Sequence, residues 1–261
     1  MKLVRTIADL SADLRTGPGL ETGTAIVGLV PTMGALHAGH EALIAAARAE
    51  CDTVVVSVFV NEAQFDQTAD LAAYPRDEAR DAAFAERAGA DVVFAPTAAE
   101  IYPPGYQTWV EVEELSRGLE GEHRPGHFRG VATVCLKLFN IVRPRFAYFG
   151  QKDAQQVAVV RRLVGDLNLD LTVRAVPTVR DADGLALSSR NVTLSAEERA
   201  LALALPRALT TRDRDAARAL LGGLDVDYVE VADFDPRVLA AAVRVGSTRL
   251  IDNVVLTEEE R

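Results

Sequence analysis

The chain has 261 residues, of which 49% are hydrophobic and 25% are charged, and its formal net charge at pH 7 is -10. This is the composition of a folded globular protein, and the acidic balance, which no Lys/Arg-rich run offsets, argues against nucleic acid as a partner. No run approaches the ~18 apolar residues needed to cross a bilayer, so no membrane span is predicted.

Buried strands and helices alternate along the first two thirds of the chain. Strands are predicted at 25–30, 53–60, 91–95, 146–149 and 171–176, and helices at 41–49, 77–88, 130–142 and 154–167. This alternation predicts an α/β fold, with a Rossmann-like parallel sheet flanked by helices. Ligands of such sheets bind beyond the carboxyl ends of the strands.

The pattern changes beyond about residue 180. Helices are predicted at 195–211 and 213–221, and strands at 227–232 and 249–256. We therefore predict two domains. Residues 1–180 would form the Rossmann-like domain that binds nucleotide and substrate, and residues 181–261 a smaller α+β domain on the lid or dimer side.

Two histidines lie between the strand 25–30 and the helix 41–49, in the sequence Pro-Thr-Met-Gly-Ala-Leu-His-Ala-Gly-His at 31–40. Gly34 allows a tight turn and close approach to a ligand. His37 and His40 are three residues apart, at a helix entrance that offers N–H groups and positive potential to a phosphate. That potential favours neutral imidazoles, each able to donate one N–H. The segment therefore predicts charge stabilisation at an α-phosphate.

Three further polar segments follow predicted strands. Asn61 and Gln64, after the strand 53–60, suit the hydroxyl and carboxylate groups of a small acid, although turn and cap roles fit them equally well. Lys152, in the segment 149–156, offers a mobile charge for phosphates. In the segment 177–191, Ser188, Ser189 and Arg190 are predicted to form a phosphate clamp, with helix capping by the serines as the alternative.

These segments resemble a known family. His-x-Gly-His is the signature of the class I aminoacyl-tRNA synthetase and nucleotidyltransferase superfamily, and the wider match at 31–37 is similar to the pantothenate synthetases. Phe-Val-Asn-Glu-Ala-Gln-Phe at 59–65 resembles a family motif that has proline at Glu62. Phe-Gly-Gln-Lys-Asp-Ala-Gln-Gln at 149–156 departs from the family at Gln151 and Ala154, where a glutamate and an aromatic residue are usual. Leu-Ser-Ser-Arg-Asn at 187–191 matches the family's counterpart of the synthetase signature loop.

The resemblance implies that ATP and pantoate form a pantoyl adenylate, which β-alanine converts to pantothenate. Catalytic roles fall on His37, His40, Lys152, Ser188, Ser189 and Arg190. ATP contacts are expected at these and at Met33, Gly34, Gly150, Asp153, Val179 and Leu187. Pantoate and β-alanine are expected at Asn61, Gln64, Gln156, Arg124 and His127, of which the last two fit a structural loop equally well. The resemblance also implies a homodimer and Mg²⁺, for which Asp81 is a candidate ligand.

Other functions are weighed against this one. Another nucleotidyltransferase acting on a phosphorylated substrate would need extra basic residues, which the neutral pair Asn61 and Gln64 does not provide. A tRNA synthetase is disfavoured by the short, acidic chain. A nucleotide-binding module without catalysis is disfavoured because both histidines and Lys152 are present.

The compartment is predicted from the amino terminus and the cysteines. Residues 1–14 lack the apolar core of a secretory signal. Cys51 and Cys135 lie in apolar stretches and are interpreted as small buried side chains rather than as a disulfide or zinc site. A cytoplasmic location is therefore expected.

Overall fold

The computed structural model describes residues 1–16, 25–66 and 68–257. The chain divides into two compact units. The first comprises residues 1–149 and 159–176, and the second comprises residues 150–158 and the chain from residue 177 onward. The short segment 150–158 thus groups with the carboxyl-terminal part of the chain rather than with its sequence neighbours.

The first unit is built on a six-stranded sheet with the order β1-β4-β3-β2-β5-β6. Its strands are β1 (Lys2–Val4), β2 (Val27–Thr32), β3 (Thr53–Val58), β4 (Val92–Phe94), β5 (Phe146–Gly150) and β6 (Thr172–Val176). The pairs β1/β4, β4/β3, β3/β2 and β2/β5 are parallel. Val54, Val55 and Val56 are fully buried, as expected of a strand covered on both faces. The predicted α/β class is confirmed.

The strand order reverses between β2 and β5. From β2 the chain proceeds outward through β3 and β4, whereas β5 pairs with the opposite side of β2 and is followed outward by β6. Such a reversal opens a crevice beyond the carboxyl ends of the strands. The residues that follow β2 and β3 are those in which the sequence predicted a site.

Helices flank this sheet. They are α1 (Ile7–Thr16), α2 (Ala38–Glu50), α3 (Thr68–Ala73), α4 (Glu78–Ala88), α5 (Ala98–Ile101), α6 (Glu120–His123), α7 (His127–Val142) and α8 (Ala154–Asp166), the last of which begins within the segment 150–158. The start of α4 is capped by Asp77, whose side chain accepts from Arg80 N–H, and the helix ends at Gly89 with a left-handed φ of 105°. Within the described ranges, no helix combines the length and apolar character required to cross a membrane.

The second unit contains an antiparallel three-stranded sheet of β7 (Asp225–Ala232), β8 (Val238–Val245) and β9 (Thr248–Val255), with β8 in the centre. Helices α9 (Ala196–Ala202), α10 (Ala204–Leu209) and α11 (Arg214–Leu220) accompany it. Leu205, Leu209 and Val229 belong to its buried core. The smaller α+β region predicted from the sequence is confirmed.

Two details of this unit differ from the prediction. The single helix expected at 195–211 is interrupted at Leu203. Pro206 explains the break, because it has no N–H to bond the carbonyl of Ala202 and its ring crowds that carbonyl. The strand β8 was not predicted, because its sequence Val-Leu-Ala-Ala-Ala-Val-Arg-Val is buried almost throughout and lacks the alternation of a half-exposed strand.

Candidate active site

A buried carboxylate shapes the loop that leads from β2 to the histidines. Asp81 on α4 is 2% exposed, and its two oxygens accept from the N–H groups of Ala35 (2.8 Å) and Leu36 (2.9 Å). Gly34 adopts a φ of 83°, and a β-carbon there would lie 2.7 Å from Asp81 Oδ2. The glycine therefore serves both the turn and the close approach of Asp81 to the loop.

The backbone fixes both imidazoles at the start of α2. Gly39 N–H donates to His37 Nδ1 (3.1 Å), and His37 N–H donates to His40 Nδ1 (3.2 Å). Since each Nδ1 accepts, the proton of each neutral ring lies on Nε2. The ring centroids are 4.2 Å apart. The pair therefore carries two Nε2–H donors in orientations set by the helix cap.

His40 remains neutral over the working range of pH. Burial, reinforced by the neighbouring His37, lowers the pKa of His40 to about 3. A neutral imidazole at a helix N-terminus donates a hydrogen bond without adding a full charge that would repel the helix dipole. This is the state that the sequence predicted for the site.

Gln64 lies in a one-turn 3-10 helix after β3, Glu62–Gln64. Its Oε1 accepts from Asn61 Nδ2 (3.0 Å), and its Nε2 lies 2.9 Å from the sulfur of Met33. Asn61 is 1% exposed, and its Nδ2 also donates to the carbonyl of Gly130 (3.1 Å). The structure therefore brings Met33, Asn61 and Gln64 together, with Asn61 at the Oε1 of Gln64 and Met33 at its Nε2.

Arg124 and His127 contact the backbone carbonyl of Gln64, at the end of the 3-10 helix. His127 Nδ1 donates to the carbonyl of Gln64 (2.8 Å), and Arg124 Nη1 lies 3.1 Å from His127 Nε2. Arg124 is also within 3.6 Å of Asp66 and 3.9 Å of Glu120. These contacts give both residues the structural role that the sequence left open beside carboxylate binding.

A pocket of about 260 Å³ opens at the carboxyl ends of β2, β3 and β4. Met33, Val60, Glu62, Arg76 and Asp81 are among its lining residues. Its walls thus include the loop before the histidines and the turn that begins at Glu62. This agrees with the rule that ligands of parallel sheets bind beyond the carboxyl strand ends.

In the second unit, β9 holds the backbone on both sides of Lys152. Asn253 Nδ2 donates to the carbonyls of Gln151 and Lys152, each over 2.9 Å, and Gln151 Nε2 donates to Asn253 Oδ1 (3.4 Å). Lys152 Nζ lies 3.7 Å from the carboxylate of Asp153. Gly150 precedes this segment, and Gln156 follows it in the first turn of α8, half-buried. Gln151, which stands where the family usually has a glutamate, thus bonds to Asn253.

The loop at 179–191 is held by charged pairs within the same unit. Arg180 forms a bidentate pair with the buried Asp252 (2.6 and 3.0 Å), and Arg199 reaches Asp181 (2.6 Å) and Asp183 (2.8 Å). Such paired contacts fix backbone geometry as well as charge.

The side chain of Ser188 accepts from Arg190 N–H (3.2 Å) and so caps the short helix Ser189–Thr193. The N–H of Leu187 donates to the carbonyl of Val179 (3.0 Å). Capping of the next helical turn, the alternative weighed for the serines, is therefore found for Ser188.

The predicted site residues divide between the two units. Met33, Gly34, His37, His40, Asn61, Gln64, Asp81, Arg124 and His127 belong to the first, and Gly150, Lys152, Asp153, Gln156, Val179, Leu187, Ser188, Ser189 and Arg190 to the second. The sequence did not point to Tyr102, Asp252 or Asn253, because each acts through a partner distant along the chain.

The described side chains do not by themselves form a metal cluster. No cluster of three or more His, Cys, Asp or Glu capable of holding an ion occurs in the part of the chain that is described. Both oxygens of Asp81 accept backbone N–H groups. Asp81 thus holds the loop through both of its oxygens, and its role as a magnesium ligand stays a prediction.

A pair of histidines at a helix N-terminus, directly beyond a parallel strand, is typical of the nucleotide-binding α/β enzymes with the His-x-Gly-His signature. The family model of the pantoate–β-alanine ligases matches residues 2–255. Pantothenate synthetases of Heliobacterium modesticaldum and Acidobacterium capsulatum are 51% and 50% identical, over 98% and 99% of this chain and 99% and 98% of theirs. The chain belongs to the pantoate–β-alanine ligase family, as the sequence motifs predicted.

Solved structures agree with this assignment. The pantothenate synthetase of Thermus thermophilus matches with a TM-score of 0.91 and 44% identity, over 98% of this chain and 99% of that one. The pantoate–β-alanine ligase of Francisella tularensis, solved with beta-gamma ATP and β-alanine, matches with a TM-score of 0.86 and 33% identity, over 98% and 97%. The predicted enzyme class, a ligase of pantothenate biosynthesis, is confirmed.

Proposed function

We propose that this chain joins pantoate to β-alanine in two steps. The carboxylate of pantoate attacks the α-phosphorus of ATP, so that a P–O bond forms and pyrophosphate leaves. The amine of β-alanine then attacks the acyl carbon of the pantoyl adenylate, the amide bond forms, an amine proton is lost and AMP leaves. ATP supplies the leaving groups, so the protein contributes position and electrostatics.

The observation that carries this proposal is the fixed tautomer of the two histidines. Negative charge grows on the α-phosphate oxygens as the carboxylate attacks. His37 and His40 accept backbone N–H groups at Nδ1, so each ring carries its hydrogen at Nε2, and these Nε2–H groups would donate to those oxygens. Donors oriented before the reaction stabilise this charge without reorganisation, and one such donor contributes about 100- to 1,000-fold to the rate.

We assign the acid substrate to the two glutamines. The Nε2 of Gln64 can donate to a carboxylate or hydroxyl oxygen, and Gln156 would provide a second amide. The Francisella tularensis ligase was crystallised in complex with β-alanine, and this supports a site for the same amine here. Arg124 and His127 would contribute by holding the Gln64 backbone.

Lys152, Ser188, Ser189 and Arg190 would hold the phosphates. Arg190 and Lys152 bring positive charge, and Asn253 holds the carbonyls beside the lysine. Met33, Gly34, Gly150, Asp153, Val179 and Leu187 remain predicted ATP contacts. Magnesium would enter with the ATP phosphates, which supply most of its ligands.

The assembly and the compartment are also proposals. A homodimer is expected from the family resemblance. A cytoplasmic location is supported by Cys51 and Cys135, which are both buried free thiols in the described structure.

The decisive experiment separates the two half-reactions. In a single turnover with ATP and pantoate we expect pyrophosphate but little free AMP, and addition of β-alanine should release AMP and pantothenate together. Pyrophosphate release with a phosphorylated acceptor, independent of pantoate, would instead indicate another nucleotidyltransferase. ATP binding without either product would indicate a non-catalytic module.

A further inference from the structure

A hydrogen-bond chain runs from an aromatic cluster to Gln64. Tyr102 follows α5, and its hydroxyl donates to Asn61 Oδ1 over 2.9 Å. Asn61 Nδ2 donates to Gln64 Oε1 (3.0 Å) and to the carbonyl of Gly130 (3.1 Å). Asn61 connects the other two side chains, because it accepts from Tyr102 and donates to Gln64.

In each hydrogen bond of this chain, the donor and the acceptor cannot exchange roles. The carbonyl of Gly130 can only accept, so the adjacent atom of Asn61 must be Nδ2 rather than Oδ1. The second hydrogen of Nδ2 then requires an acceptor, which makes the facing atom of Gln64 Oε1. The Nε2 of Gln64, with its two N–H donors, is thereby directed away from Asn61 and toward Met33.

Tyr102 reinforces this polarity because its hydroxyl is a donor to Asn61. Burial raises the pKa of Tyr102, so the phenol stays protonated throughout the working range. The ring itself is held by neighbours: Trp109 stacks on it at 5.9 Å, and Tyr106 meets it edge-on at 5.1 Å. Lys137 Nζ lies 5.9 Å from the centre of the same ring.

We propose that Tyr102 is a positioning residue that sets the amide orientation of Gln64 through Asn61, so that Gln64 presents N–H donors to pantoate. Asn61 then serves the substrate indirectly, because its Nδ2 hydrogens and its Oδ1 are engaged by protein groups. An acid substrate offers carboxylate and hydroxyl oxygens, for which an amide presenting N–H is the complementary partner. This inference rests on the assignment of Gln64 to pantoate.

The test compares two tyrosines of one cluster. Tyr102→Phe removes only the hydroxyl and keeps the ring contacts, and the loss of one hydrogen bond should raise the KM for pantoate about 3- to 10-fold. The KM for ATP should change less than about twofold, since Tyr102, Asn61 and Gln64 are not among the proposed ATP contacts. Tyr106→Phe is the matched control, and its KM for pantoate should equal that of the unaltered protein.

A double-mutant cycle separates this inference from the assignment beneath it. Gln64→Ala should raise the KM for pantoate, and Tyr102→Phe should add nothing in that background. If Gln64→Ala has no effect, both the assignment and the inference are wrong. If Gln64→Ala raises KM while Tyr102→Phe does not, or if the two effects multiply, the inference alone is overturned.

A second variant covers the case in which Tyr102→Phe fails to fold. Gln64→Glu keeps the shape and keeps an acceptor for Asn61, but it presents a carboxylate oxygen where the amide presents N–H. We expect its KM for pantoate to exceed that of Gln64→Ala, because an oxygen then faces the acid substrate. A normal KM in Gln64→Glu would mean that no outward N–H is used, and the proposal would be abandoned.

Discussion

Gly130 lies in the first turn of α7, where the helix passes against the turn that carries Gln64. A β-carbon at Gly130 would lie 2.3 Å from the carbonyl oxygen of Ala63 and 2.7 Å from the Cα of Gln64, whereas ordinary contacts begin near 3.4 Å. The obstructing atoms belong to the backbone, so no change of rotamer relieves the overlap. In Gly130→Ala the helix and the turn must therefore separate by about 1 Å.

This displacement should affect stability and substrate binding together. Overpacking of a tight contact costs about 1–3 kcal/mol, which lowers Tm. The separation also stretches the bond from Asn61 Nδ2 to the carbonyl of Gly130, now 3.1 Å, and shifts the amide of Gln64. Because a shift of about 1 Å in a positioning group can cost about 100-fold, we expect the KM for pantoate to rise at least about 10-fold.

Thermal unfolding and steady-state kinetics of the variants Gly130→Ala and Gly165→Ala test whether this close contact matters. Gly165 lies in α8, and a β-carbon there would meet nothing within 4 Å. Gly165→Ala should leave KM unchanged and stabilise the protein by about 0.5–1 kcal/mol, as alanine does in helices. If Gly130→Ala matched Gly165→Ala in both Tm and KM, the close approach of α7 to the turn would not matter.

Three further predictions concern His40 and Asn253. Because the pKa of His40 is lowered from its ordinary 6.5 to about 3, the unfolded chain binds the proton first, and stability should fall as the pH drops below 6.5. Thermal unfolding between pH 7 and 5 should show a smaller decline in His40→Gln, and an equal decline would rule out this histidine as the source. His40→Ala should slow pyrophosphate release in a single turnover about 100- to 1,000-fold, and a near-normal rate would remove it from the mechanism. Asn253→Ala removes the side-chain donor to the two carbonyls beside Lys152 and should raise the KM for ATP, whereas the exposed Asn140→Ala should not. Identical values for the two variants would contradict a role for β9 at the phosphates.

Local sequence signals predicted most of the first unit. The strand β3 is a run of β-branched apolar residues, and the helix α4 has both a capping Asp77 and a terminating Gly89, so neighbouring residues alone define these elements. The central strand β8 was missed because burial on both faces removes the period of two, and its alanines suit a helix equally well. The missing information was the packing of β8 between its two neighbours.

In the site, too, features set by neighbouring residues were predicted and features set by distant residues were not. His37 and His40 were predicted because the strand, the turn and the helix that place them are consecutive in the chain. The contacts that hold these segments were not predicted, because their partners are distant in the chain. Asp81 bonds to the loop before His37 from 45 residues away, and Asn253 bonds to the carbonyl of Lys152 across 101 residues. Neither residue carries a signal for these contacts, because a lone aspartate or asparagine fits many surface positions equally well.

The bonds from Asn253 to the segment around Lys152 also bear on how the protein is made. About a hundred residues separate the two partners, so at a synthesis rate of about 5–20 residues per second the lysine segment waits several seconds or more for its partner to be translated. During that interval its carbonyls lack the donor that Asn253 supplies, and closing so long a loop adds entropy cost to the final assembly. A nascent chain that already displays both histidines would therefore still lack an ordered lysine segment, so nucleotide binding should mature late, after β9 has left the ribosome.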